Sequence, residues 1–154
     1  MTSTKKLTPW QQACAIVNAD PDGQLSMDTR ADIIFRASCK KRGLDPLDTL
    51  FTHGPAHVIA FNKLTLAIIP AVVGTWVPDW NDSNSKYGPW FWMNKPGFRF
   101  CVVGYGVAST TVAGGSRLCF DSRKKAEWVG RHCISLYRDL MGADELAPIA
   151  KIAA

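Results

Sequence analysis

Nowhere in the 154 residues does a Cys-x-x-C pair occur, although five cysteines are present. Cys14, Cys39, Cys101, Cys119 and Cys133 are odd in number and irregularly spaced. That spacing excludes a paired disulfide framework or zinc ribbon and leaves reduced, buried thiols as the expectation. Long apolar runs are also missing. The most apolar stretch, Leu64 to Val73, is ten residues long and contains Pro70, about half of the roughly 20 residues a membrane-spanning helix needs. No signal-peptide core follows Lys5 and Lys6, because Gln11, Gln12 and Cys14 interrupt Trp10 to Val17. These features lead to the expectation of a soluble, non-secreted, cytoplasmic chain. Acidic residues are in deficit, 13 against 18 Lys and Arg, for a net charge of +5, which points to an anionic partner.

What is present suffices for a core, with 47% hydrophobic residues including six Trp and seven Phe. The length suits one domain, expected over residues 8–142 between a disordered tail at 1–7 and a second tail at 143–154. Up to about Val73 the pattern is helical. Thr8-Pro9 caps a first helix whose Trp10, Ala13, Cys14 and Val17 share a face. A second helix starts near Ser26 or Asp28, with Ile33, Ile34 and Ala37 inward, and stops where Lys40-Lys41-Arg42 precede Gly43. Asp45-Pro46-Leu47-Asp48 caps a short helical turn, and a third helix runs from about Ala56 to Ile69, where Pro70 bends or stops it.

Beyond Trp76 the pattern changes to strands. Lys86 to Met93 is aromatic and extended, and Asn94-Lys95-Pro96-Gly97 has the Pro-Gly centre of a type II turn. Phe98, Phe100 and Val102 then alternate with Arg99, Cys101 and Val103, as in a strand with two different faces. Ser116 to Phe120 reads as another short strand. A final amphipathic helix, Arg123 to Met141, turns Ala126, Val129, Cys133, Leu136, Tyr137 and Leu140 inward and ends at Gly142. The expected fold class is α+β, with N-terminal helices, a small antiparallel β-meander and a closing C-terminal helix.

Motifs for catalysis or metal binding fail on inspection. His53 and His57 have the spacing of a helical zinc pair, but Gly54-Pro55 lies between them and no third ligand stands nearby. Asp20-x-Asp22-x-Gln24 opens like a calcium loop, yet has Leu25 where the glycine belongs and Ala31 where the glutamate belongs. Gly104-Tyr105-Gly106 continues into a Ser/Thr-rich loop rather than a dinucleotide-binding helix. Asp79 and Asp82 suit an Asx-rich turn better than a carboxylate pair. Gly114-Gly115-Ser116-Arg117 fits an anion nest, though a hairpin turn explains it more simply. No enzyme, metal or cofactor is expected.

Charge and aromatic content coincide instead. Lys86, Lys95, Arg99, Arg117, Arg123, Lys124, Lys125, Arg131 and Arg138 face only Asp121 and Glu127 between residues 86 and 138, a local surplus of +7, while the rest of the chain sums to −2. Trp90, Phe91 and Trp92 lie in the same segment. Rings that stack on bases beside cations that follow phosphates characterise single-strand binding sites, whereas core packing accounts for bulky strand rings without any partner. The candidate contacts are Lys86, Lys95, Arg99, Arg117, Lys124 and Lys125 for phosphates, with Trp90 or Trp92 for bases. The alternative is an acidic host protein meeting the same surface.

Three motifs in order, Trp76-x-Pro78-Asp79-Trp80, then Lys86-Tyr87-x-Pro89-Trp90-Phe91, then Gly115-Ser116-Arg117-Leu118-Cys119-Phe120 ahead of the last helix, resemble a family of small uncharacterised proteins of phages and prophages of gut bacteria. The likeness covers about Phe61 to Met141, and the family often has a further aromatic where this chain has Gly88. The resemblance implies a phage-type accessory protein of the bacterial cytoplasm, and implies no catalytic residue. The combined expectation is a binding protein for nucleic acid, single-stranded in preference to duplex. An inhibitor or adaptor of a host defence protein is the second reading, and a virion or assembly component the third.

Overall fold

The computed structural model describes residues 6–20, 23–110 and 116–143. The fold is α+β, helices joined to a two-stranded antiparallel sheet and closed by C-terminal helices. Most of the tails expected at 1–7 and 143–154, together with Asp22, Gly114 and Gly115, lie outside the described residues.

Helix α1, Pro9–Asn18, begins at a reciprocal capping box. The Thr8 hydroxyl accepts from the Gln11 amide and the Gln11 side chain accepts from the Thr8 amide. Leu7 is tied down as well, its carbonyl accepting from Gln12. Helix α2, Met27–Arg42, starts at Ser26 and ends with Gly43 in the left-handed conformation (φ 70°), behind three cations that suit the carbonyl end. Asp48 caps the short α3, Thr49–Thr52.

Pro70 does not stop the third long helix. Helix α4, Ala56–Asn62, passes into a π-helical segment, Lys63–Ile68, and on through α5, Ile69–Val73. Proline has no amide hydrogen and crowds the carbonyl four residues back. The widened turn, in which the Ile69 amide reaches Leu64, lets the helix pass that point. The continuous helix 56–73 is thus long and apolar enough by composition to cross a membrane (mean hydropathy 1.7). In the fold its Ala60, Leu64, Ala67, Ile68 and Ile69 are core residues, packed with Ile34, Phe35 and Phe51.

The expected meander is a hairpin with one extra bridge. Strands β1, Lys86–Trp92, and β2, Arg99–Gly106, pair antiparallel. Residues 116–120 supply no full strand: Ser116–Leu118 is a 3₁₀ turn and only Phe120 bridges to Tyr87, with hydrogen bonds of 2.9 and 2.8 Å. The turn between the strands is not type II: the Gly97 amide donates to the Asn94 carbonyl at 2.9 Å, so Lys95 and Pro96 are its central residues, with proline third instead of second.

Register brings a second correction. Trp90 pairs with Val102 but Phe91 pairs with Phe100, leaving Cys101 as a β-bulge. One extra residue exchanges the faces of everything beyond it. Phe100 therefore faces inward, while Val102 turns out (50% exposed) and Val103 turns in (6%). Strict alternation would group Phe100 with Val102; the bulge puts them on opposite faces.

The last helix is two, α6, Arg123–His132, and α7, Ile134–Met141, broken at Cys133. The expected stripe holds across the break: Ala126, Val129, Cys133, Leu136 and Tyr137 are buried and Leu140 packs against them. Helix α6 lies against the inner face of the hairpin, so close that a Cβ on Gly130 would stand 2.7 Å from Pro89 Cβ. Phe91 continues this layer, stacking on Phe98 and meeting Tyr137 at 4.9 Å. All five cysteines are free, with Cys39, Cys119 and Cys133 buried and Cys14 and Cys101 half-buried.

Candidate functional site

Because side chains alternate along β1, Tyr87, Pro89 and Phe91 share one face, and Trp90 and Trp92 the other. The first set covers the core and α6. The second faces away from it, and Trp90 is 63% and Trp92 49% exposed. Opposite them on β2 stand Val102 and Arg99. The Arg99 guanidinium lies 5.8 Å from the Trp92 ring, and donates to the carbonyls of Asn94 and Gly97 at 3.2 and 2.8 Å. The turn thus holds Arg99 beside the indole. Lys95, at the tip of that turn, is exposed. Met93 adds apolar area at the same end.

Lys86 does not belong to this surface. It is 3% exposed, its amino group donating to Asp82 (2.7 Å) and to the Val107 carbonyl (3.0 Å) and lying 5.4 Å from the Trp80 ring. Two of its three donors are thus committed, and burial keeps the amino group away from a strand crossing the outer face. Its hydrogen bond to Asp82 is the main reason that carboxyl titrates below the ordinary range.

Arg117, Lys124 and Lys125 belong to a different part of the surface. Arg117 is exposed on the 3₁₀ turn and Lys124 on the first turn of α6, the helix that packs on the opposite face of the hairpin from the two tryptophans. Lys125 is half-buried and paired with Asp121 at 2.9 Å. Two further cations serve the inner layer. Arg123 donates to the Val103 carbonyl at 2.9 Å and faces the Tyr87 ring, and Arg131 lies 4.4 Å from the Phe100 ring. The basic segment thus divides: Arg99 and Lys95 lie beside the exposed indoles, Arg123, Lys124, Lys125 and Arg131 lie on α6, Arg117 sits on the 3₁₀ turn, Lys86 is buried at the start of β1 and Arg138 lies on α7.

A cavity of about 310 Å³ between the 79–86 loop and Asp121 is lined by Trp76, Asp79, Asp82, Lys86 and Tyr87. Two of its three acids are engaged in local structure, while Asp121 pairs with Lys125 through Oδ2 and keeps Oδ1 buried with no hydrogen-bond partner among the described residues. Asp79 accepts from the Asn81 amide and Asp82 from the Asn84 amide and Lys86, the Asx-turn pattern expected of them. Among the described residues no three metal-ligating side chains converge. His53 caps the end of α3 and His57 lies in the first turn of α4, both exposed. Asp20 accepts from the Gln24 and Leu25 amides and from Arg30, so it organises the turn into α2.

Sequence reasoning missed Val102 and Gly104 as parts of the outer face. Val102 reaches that face only through the bulge. For Gly104 a signal existed: a glycine two residues from the cross-strand partner of a tryptophan is where a large ring lies across the sheet. No family model, curated protein or solved structure matches this chain.

Proposed function

We propose that the protein binds single-stranded nucleic acid through the outer face of its hairpin, in a phage-type accessory role in the bacterial cytoplasm. One observation carries this reading: Trp90 and Trp92 stand exposed on one face, with Arg99 against Trp92 and Lys95 on the adjoining turn. Exposed indoles supply stacking area for any base, and the two cations follow the phosphates. The phosphate set is Lys95 and Arg99. Arg117 and Lys124 extend it only for a strand long enough to pass around the hairpin edge, and Lys86 drops out.

Titration of intrinsic fluorescence with an oligothymidylate at two salt concentrations tests the proposal. Quenching that weakens with salt and is diminished in a Trp90→Phe/Trp92→Phe variant supports it; emission that never changes removes it. A second reading, an adaptor or inhibitor docking on an acidic host protein, draws on the apolar neighbours Met93 and Val102, since aromatic, Met and Arg side chains typify protein interfaces. Capture of a host protein that survives nuclease treatment, and is lost on Trp92→Ala, favours it.

A further inference from the structure

The position of Gly104 defines the site more closely. A Cβ built there would collide with Trp90 Nε1 and stand 2.9 Å from Trp90 Cδ1 and 3.1 Å from Cε2. Gly104 is not the residue opposite Trp90 but its diagonal neighbour, beyond Val102, about 7–8 Å away. To reach it the indole must lie along the sheet instead of standing off it. The side chain is thus held by the backbone beneath while 63% of the residue remains exposed. The pair Gly88–Gly104 continues this floor: it carries no side chains, and a Cβ on Gly88 would meet nothing within 4 Å.

Trp92 follows two residues later, about 6.8 Å along the strand. That is about twice the 3.4 Å rise between bases stacked along one strand of a duplex. Two bases received by these rings therefore cannot remain stacked on each other. Among the described residues the cations of this face lie at the Trp92 end, where Arg99 and Lys95 flank the turn, because Lys86 at the other end is buried.

We infer that the outer face holds two consecutive unstacked bases of a single strand, one on Trp90 and one on Trp92, and that Gly104 is the positioning residue that lays the Trp90 indole down to receive its base. The inference rests on the nucleic-acid reading and adds footprint, strandedness and the role of Gly104. Duplex is excluded by the ring spacing, and the backbone runs toward the Arg99 end.

The experiment compares a fluorescently labelled oligothymidylate, single-stranded and annealed to oligoadenylate, on the wild type and on Trp90→Ala, Trp92→Ala, Gly104→Ala and the Trp90→Ala/Gly104→Ala double variant, each checked for fold by circular dichroism. Each tryptophan substitution is expected to weaken single-strand binding by about 5- to 150-fold, the equivalent of about 1–3 kcal/mol per stacked base. Gly104→Ala should weaken it similarly, and should cost nothing further once Trp90 is gone. Wild-type affinity in either Trp90→Ala or a folded Gly104→Ala, or equal affinity for the duplex, overturns the inference while leaving nucleic-acid binding in place. Failure of the wild type to bind any oligonucleotide removes both.

Discussion

At Lys86 a cation is drawn into the fold by Asp82, four residues earlier, and by the carbonyl of Val107, 21 residues later. Nothing about its own identity distinguishes it from Lys95, which points into solvent. The two therefore differ in what their removal does. Lys86→Ala removes the donor to the Val107 carbonyl and the counter-charge of Asp82, and is expected to lower stability by about 1–3 kcal/mol, read from urea denaturation, with oligonucleotide affinity unchanged. Lys95→Ala is expected to do the reverse. His132 is a second residue whose behaviour its neighbours set. Burial, then Arg30 and Arg131, push its pKa below the ordinary value. Arg30 donates to Nδ1 at 3.3 Å while its own charge is met by Asp20, and Trp128 packs on the ring. The unfolded chain therefore binds a proton at higher pH than the folded one, near 6.5. Stability is expected to fall as pH drops through and below that value. His132→Gln should flatten this slope in denaturation midpoints measured at several pH values.

At the scale of elements, helix starts and stops were legible because capping is local. Thr8, Ser26, Asp48 and Ser122 each accept from amides a few residues on, and Gly43 and Gly142 close their helices in the left-handed conformation. The passage through Pro70 and the break at Cys133 were not legible, since both depend on what the helix packs against. The bulge at Cys101 mattered most for the candidate site. Sequence alternation assumes an unbroken period of two, and a single unpaired residue exchanges inner and outer faces. The junction of α6 with the hairpin is equally non-local. Alanine ordinarily favours a helix over glycine by about 1 kcal/mol, but at Gly130 the new methyl would meet Pro89 and Phe100 at 2.7–3.2 Å. Gly130→Ala is expected to destabilise by about 1–3 kcal/mol, seen as a lower urea midpoint. A raised midpoint would show that helix and hairpin separate easily.

Taken as one object, the molecule carries its surplus charge on two sides of the hairpin, with Arg99 and Lys95 outside and the α6 cations beneath. This division is measurable. Two phosphate contacts give a slope of log affinity against log salt of about −1.4 for a single strand, whereas recruiting Arg117 and Lys124 as well gives about −2.8. A short oligonucleotide is expected to show the shallower slope. Thiol accessibility gives a separate test of the packing: Cys14 and Cys101 should react with a thiol reagent in the native protein, and Cys39, Cys119 and Cys133 only after unfolding. Burial raises the pKa of Cys14, Cys39, Cys119 and Cys133, so reaction at Cys14 should quicken at alkaline pH.

Composition, caps and periodicity were by themselves enough to determine the α+β class, the helical first half, the extended Lys86 segment and the buried stripe of the last helix. These are set by residues within one or two turns of each other, where side chain and backbone meet without help from the rest of the chain. Which of the clustered rings and cations face outward was decided only in three dimensions. Lys86 went in, Trp90 and Trp92 stayed out, and Lys124 fell beneath the sheet from them, because burial, register and the approach of α6 depend on partners far away in sequence whose positions no local pattern encodes.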